Sequence, residues 1–150
     1  MSEEKKFERI YGDYFKIIQG VINRMSKNSF LIKAWTITLI SAILVLTLSL
    51  LNIFVLGILI GISVIFWGLD SYYLRLERIY RKFYGEKVNK YNDKVTRKDL
   101  ELFSMDIDKL RGEEEGILKI MRSNSEIYFY LTIIGALSIF FVYSTILLFI

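Results

Sequence analysis

The chain has 150 residues, is 53% hydrophobic and 15% aromatic, and carries a formal charge of +4 without a single cysteine, histidine or proline. Without cysteine there is no disulfide or thiolate chemistry, and without histidine the commonest metal ligand and neutral-pH general base are gone. The positive balance is no argument for a nucleic-acid partner, because membrane proteins gather Lys and Arg at their cytoplasmic edges.

The first 33 residues hold seven basic and four acidic side chains. They contain no early apolar core, so no cleavable signal peptide is expected. Phe7, Tyr11, Tyr14, Ile18, Val21 and Met25 recur at spacings of four and three, the apolar stripe of an amphipathic helix. The same spacing continues through Asn28, Ile32, Trp35, Leu39, Ala42 and Leu46. Two arrangements fit: one nearly continuous helix, or a surface helix that bends near Ser26 to Ser29.

From Ala34 to Leu69 there are thirty-six residues without Asp, Glu, Lys or Arg. As one helix this run would overshoot a bilayer core by about 24 Å, leaving apolar surface in water. A hairpin divides it into two crossings of about 27 Å each, with the turn at Ser49 to Asn52. The first crossing is placed at 30–50, with Lys33 snorkelling to the boundary and Trp35 near the interface. The second, at about 53–73, carries Gly57 and Gly61 on one face and Gly68 two turns on, a spacing that suits close helix packing.

Beyond Asp70 a further stripe, Leu69, Tyr73, Leu76, Tyr80 and Phe83, runs among Arg75, Arg78, Arg81 and Lys82. Glu77 and Arg81 stand one turn apart in the favourable order. Gly85 reads as the helix stop and 85–99 as a polar loop, with Thr96 and Asp99 as a weak cap. Phe103 to Asp106 takes no clear assignment. The acidic triplet Glu113 to Glu115 precedes a short amphipathic helix at Ile117, Leu118, Ile120 and Met121. Ser123 with Glu126 reads as a capping pair opening a third crossing, Ile127 to Ile150.

The expected fold is therefore an all-α membrane protein: a transmembrane hairpin plus a C-terminal transmembrane helix, with long amphipathic cytoplasmic extensions and an oligomeric assembly. Its divisions are a cytoplasmic amphipathic helix (1–29), the hairpin (30–74), a cytoplasmic helical insert with a loop (75–126) and the last membrane helix (127–150). The hairpin turn is uncharged, whereas the stretch from Asp70 to Glu126 holds thirteen Lys and Arg. That bias places the N-terminus and the insert in the cytoplasm and the C-terminus outside.

Candidate sites follow from charge at the boundary. Asp70 needs a partner there, and Lys33 or Arg24 can supply one; a salt bridge fixing the hairpin competes with an ion gate or ligand sensor. Neither apolar run holds an internal ionisable group, which argues against an ion-coupled transporter. Thr38, Ser41, Val45 and Ser49 form one candidate pore lining, with Ser138, Ser144 and Thr145 on the last helix; the hydroxyls either line a water path or bond to their own helix. Asp106, Asp108 and Glu113 to Glu115 are the one carboxylate cluster, read as solvated surface ahead of a metal site. Arg78, Arg81 and Lys82, interleaved with Tyr80 and Tyr84, suit an anionic nucleotide-like ligand or lipid headgroups. No catalytic residue, metal or cofactor is expected.

Two stretches, Arg24-Met-Ser-Lys-Asn-Ser-Phe-Leu-Ile-Lys-Ala-Trp35 and Phe66-Trp-Gly-Leu-Asp-Ser-Tyr-Tyr-Leu-Arg-Leu-Glu-Arg-Ile-Tyr-Arg81, resemble a widespread family of small bacterial inner-membrane proteins. Phe103 to Asp106 and Ile127 to Tyr130 add weaker support. The resemblance implies a cytoplasmic helical part, a membrane hairpin and a final membrane helix. By weaker analogy it extends to membrane effectors of prokaryotic antiviral defence, in which a cytoplasmic signal assembles or opens an oligomer. It then implies that Asn28, Ser29, Phe30, Lys33 and Trp35 form an elbow at the inner boundary. Asp70, Tyr73, Arg75, Glu77, Arg78 and Arg81 would couple it to the cytoplasmic part.

The expected function is an oligomeric inner-membrane protein, a pore-forming or membrane-disrupting effector controlled from the cytoplasm. The alternative is a non-conducting scaffold or sensor that recruits a cytoplasmic partner. A transporter component or membrane enzyme stands third. Expected partners are the bilayer, further copies of the chain, and a cytoplasmic signalling protein or nucleotide-like ligand.

Overall fold

The computed structural model describes residues 3–47, 53–93 and 103–148. These form five helices: α1 (Glu3–Leu46), α2 (Ile53–Asn92), α3 (Asp108–Glu113), α4 (Ile117–Met121) and α5 (Asn124–Leu148). The described residues contain no strand. The hairpin turn, Ser49 and the Thr96–Asp99 cap lie outside the described residues.

Three of the helices are long and apolar enough to cross a membrane. At 1.5 Å per residue, the 44-residue α1 and 40-residue α2 measure about 66 and 60 Å, twice a bilayer core of about 30 Å. Only about half of each therefore fits in hydrocarbon. The other half must bury its apolar stripe against protein. Accordingly the chain divides into two compact units, one from 1–27 and 74–115, the other from 28–73 and 116–150.

The first unit is built like a soluble core. Tyr14, Ile18 and Ile22 of α1 meet Ile79 and Phe83 of α2, with Ile107 and Leu110 from the α3 segment. Apolar side chains four and three apart on two helices leave water together, which is the main stabilising term. Tyr11 and Phe15 pack on Tyr91, their ring centroids 4.9 and 5.6 Å away. These contacts explain why α2 does not stop at Gly85: a mid-helix glycine costs about 1 kcal/mol against alanine, less than the aromatic contacts further along return. The residues 85–92, expected in a loop, are therefore helical.

The second unit has the opposite polarity. Phe30, Trp35, Val45, Phe54, Ile65 and Ile139 are exposed, while Ser29, Thr36, Ser63, Asp70, Ser71 and Glu126 are buried. A water-soluble unit would not invert in this way; a lipid-facing one would, because polar groups must find partners inside. A small apolar cluster of Ile40, Leu59 and Leu137 joins α1, α2 and α5. α5 is apolar along nearly all its length, and α4 packs against it.

α1 runs through Ser26 to Ser29 without a break. Ser29 lies inside the helix and sends its hydroxyl to Asp70, so it does not compete for the helix backbone as serine can. The extrapolated stripe does slip, however. Its buried positions in the second half of α1 are Ser29, Thr36 and Ile40, while Trp35, Ala42 and Leu46 are exposed. A strict 3.5-residue rhythm drifts about 20° per heptad on a straight helix. From Phe7 to Trp35 that amounts to about 80°, close to the 100° step of a single residue.

Candidate functional site

The second unit contains a polar cluster assembled from all three of its long helices. Lys33 comes from α1, Asp70 from α2, Glu126 and Tyr130 from α5. Asp70 and Glu126 are fully buried. The Lys33 ammonium donates to Asp70 Oδ2 and, at 2.7 Å, to Glu126 Oε1. The Ser29 hydroxyl donates to Asp70 Oδ1, and the Tyr130 hydroxyl donates to Asp70 Oδ2 at 3.1 Å. Both Asp70 oxygens are thus occupied, by three donors. Glu126 Oε2, in contrast, is buried without a donor.

Helical spacing accounts for the assembly. Ser29 and Lys33 are one turn apart on α1, as Glu126 and Tyr130 are on α5, so each pair shares a face. Tyr130 is stacked on Trp67, at 5.5 Å and 12° between planes, and Trp67 lies one turn before Asp70. The Lys33 ammonium also sits 5.8 Å from the centre of the Phe129 ring. Aromatic walls keep water away, which strengthens the ion pairs and raises the cost of losing a partner.

The Ser123–Glu126 spacing predicts a capping box. The box does not form with side chains: Ser123 contributes its carbonyl to the amides of Glu126 and Ile127, while its hydroxyl is buried without a partner. The Glu126 carboxylate turns to Lys33 because an ammonium is a stronger partner than a backbone N–H. Sequence reasoning missed Glu126 and Tyr130 as cluster members. The one available signal was their shared helix face directly before an apolar run.

The remaining candidates lie as follows. Phe30 and Trp35 are exposed and Asn28 is half-buried. Gly57 and Gly61 are exposed, and a Cβ built at either of them or at Gly68 meets nothing within 4 Å. Thr38 donates to the Ala34 carbonyl, Ser138 to Ile134 and Thr145 to Phe141. Ser41 lines an apolar groove of about 360 Å³ with Ile37, Leu44, Ile133 and Phe140, and Val45 is exposed.

In the first unit the basic face of α2 is engaged by the chain itself. Arg75 donates to the Glu115 carbonyl at 2.9 Å and to the Arg111 carbonyl at 2.8 Å. Arg78 pairs with Glu115 at 3.6 Å, Arg81 with Glu77 at 2.8 Å and Lys82 with Glu114 at 2.7 Å. The hydrogen bond to Glu114 pushes Lys82 above the ordinary lysine range, against a smaller opposing effect of desolvation. Arg24 is exposed. Asp106 accepts the Asp108 amide at 2.9 Å, just before α3. Among the described residues no group of three or more acidic side chains could hold a metal ion. Tyr14 donates to the Ser104 carbonyl at 2.6 Å, and Phe103, at φ 62°, stacks edge-on against Tyr14 at 5.6 Å.

No protein-family model, curated protein or solved structure matches this chain. The arrangement holds the Ser29 hydroxyl, the Lys33 ammonium and two carboxyl groups within one buried cluster. It offers a buried ionic latch that ties three apolar helices to one another.

Proposed function

We propose that this protein is an inner-membrane effector controlled from the cytoplasmic side, whose copies assemble and breach the bilayer when the latch opens. The carrying observation is continuity: α1 and α2 each pass unbroken from the first unit into the second. A displacement of α1 or α2 caused by a signal at the first unit would act on the same helices that carry Lys33 and Asp70. The basic bias of the first unit supports a cytoplasmic position for it, with the apolar end of α5 on the far side. Lys33, Asp70 and Glu126 stand at the end of the apolar stretches, where such a displacement would break or reset their pairing.

A second reading is a non-conducting scaffold that recruits a cytoplasmic partner. The internal bonding of Thr38, Ser138 and Thr145 favours it, since hydroxyls satisfied by their own helices do not offer a continuous polar lining. Dye-filled vesicles carrying the reconstituted protein separate the two. Lys33→Met, which opens the latch, should release dye while the wild type stays tight. Retention of dye by both, with the variant still inserted and helical, favours the scaffold.

A further inference from the structure

The charges of the latch do not balance. Lys33 is the one cation donating to two carboxyl groups that are both fully buried. Asp70 accepts three donors on its two oxygens, whereas Glu126 accepts one. That leaves Glu126 as the excess charge. The titratable groups acting on it are Lys33 from α1, Asp70 from α2 and Tyr130 from its own helix. α4 packs on the same helix but keeps Lys119 and Arg122 exposed. A second ionised carboxylate would place a net negative charge out of reach of water, which is strongly unfavourable.

We propose that the latch binds one exchangeable proton, carried by Glu126 at the Oε2 atom. Of the four carboxyl oxygens, Oε2 alone lacks a donor. Lys33 joins the carboxyl groups of Glu126 and Asp70, so a proton taken up at Oε2 offsets the charge that the single ammonium leaves unbalanced. Protonation converts the carboxylate of Glu126 into a neutral acid and leaves the Lys33–Asp70 pair intact. The cluster is then neutral, with Lys33, Ser29 and Tyr130 donating to Asp70 and Lys33 also donating to Glu126. The inference rests on the cluster alone and holds whether or not the protein conducts.

Infrared difference spectroscopy in deuterated buffer, on the full chain in lipid nanodiscs near neutral pH, tests it. Wild type minus Glu126→Gln should show the carbonyl stretch of one protonated carboxyl group. Asp70→Asn should also lack that band, because Glu126 then has Lys33 to itself and ionises. Exposed carboxylates are common to all samples and cancel. A wild type without the band, or a band that survives Glu126→Gln, overturns the proposal. Should the variants lose helicity, the wild type alone decides: raising the pH must remove the band, and its absence at every pH overturns the proposal equally.

Discussion

The Lys33 ammonium and the Glu126 carboxylate are separated by 93 residues of chain and by 2.7 Å in space. The same ammonium donates to Asp70 on a third helix. One side chain of α1 thereby holds both α2 and α5, and the stability of the second unit depends on it disproportionately. Lys33→Met should be the most damaging single change in the cluster, costing about 3–5 kcal/mol because it removes the one counter-charge of the buried carboxyl groups. Asp70→Asn should cost less, and Glu126→Gln least, since Gln mimics the neutral acid. Thermal denaturation of the purified variants in one detergent should give that order.

The exposed Gly57 and Gly61 support a prediction about assembly. Among the described residues, nothing beyond the helix's own nearby backbone lies within 4 Å of a Cβ at either position, so Gly57→Leu with Gly61→Leu should leave the monomer folded. If copies associate through this face, close backbone approach is what the glycines permit. The double variant should then cross-link as monomer where the wild type gives higher species. An unchanged cross-linking ladder would assign the face to lipid.

Arg75 should be irreplaceable by lysine. Its guanidinium reaches the carbonyls of Arg111 in α3 and of Glu115 just beyond it from two different nitrogens, a fork that a single ammonium does not reproduce. Arg75→Lys should cost about 1.5–3 kcal/mol locally, the range for charge-assisted bonds. Hydrogen exchange should accelerate across 108–115 and stay unchanged across α5.

Tyr14 ties residues 103–106 to α1. Tyr14→Phe keeps the ring packing but removes the hydroxyl that donates to Ser104, at a cost of about 1 kcal/mol. Tyr14→Ala should cost about 3–5 kcal/mol, because the fully buried ring leaves a cavity. Limited proteolysis should show faster cleavage near Ser104 in both variants, far more so in the second.

The Lys82–Glu114 pair gives a pH dependence with a definite sign. The bond raises Lys82 above its ordinary value of 10.5, so the folded state holds the proton more tightly than the unfolded one. The stabilisation is fully present below that value and is lost as pH rises through the higher folded value. Glu114→Gln should flatten this alkaline loss in a thermal titration. Added salt should weaken it in the wild type, because the Lys82 side chain is half exposed.

Length and patterning sufficed for the coarse architecture. An uncharged run too long for one crossing and too polar at its edges for a buried core leaves a hairpin as the economical solution, and three apolar helices follow. The Asp70 requirement for a cation was equally legible, since a carboxylate at a lipid edge must be paired. Local spacing misled where a helix ran longer than its repeat. The drift between 3.5 and 3.6 residues per turn moved the buried face from Trp35 to Thr36, and aromatic contacts from Tyr11 and Phe15 carried α2 past Gly85.

The third member of the latch required the fold. Ser123 and Glu126 match a capping box when only four consecutive residues are considered, and that reading is local and self-consistent. What changed it is a competing partner 93 residues away, brought close by helix packing that no short window contains. Periodicity reports which face of a helix is apolar. It does not report which other helix meets that face, or at what height, and a buried charge is satisfied by whichever group arrives there. Composition and period were therefore enough for a chain with three membrane-length helices and an unsatisfied carboxylate, and packing alone chose Lys33 as the residue shared between Asp70 and Glu126.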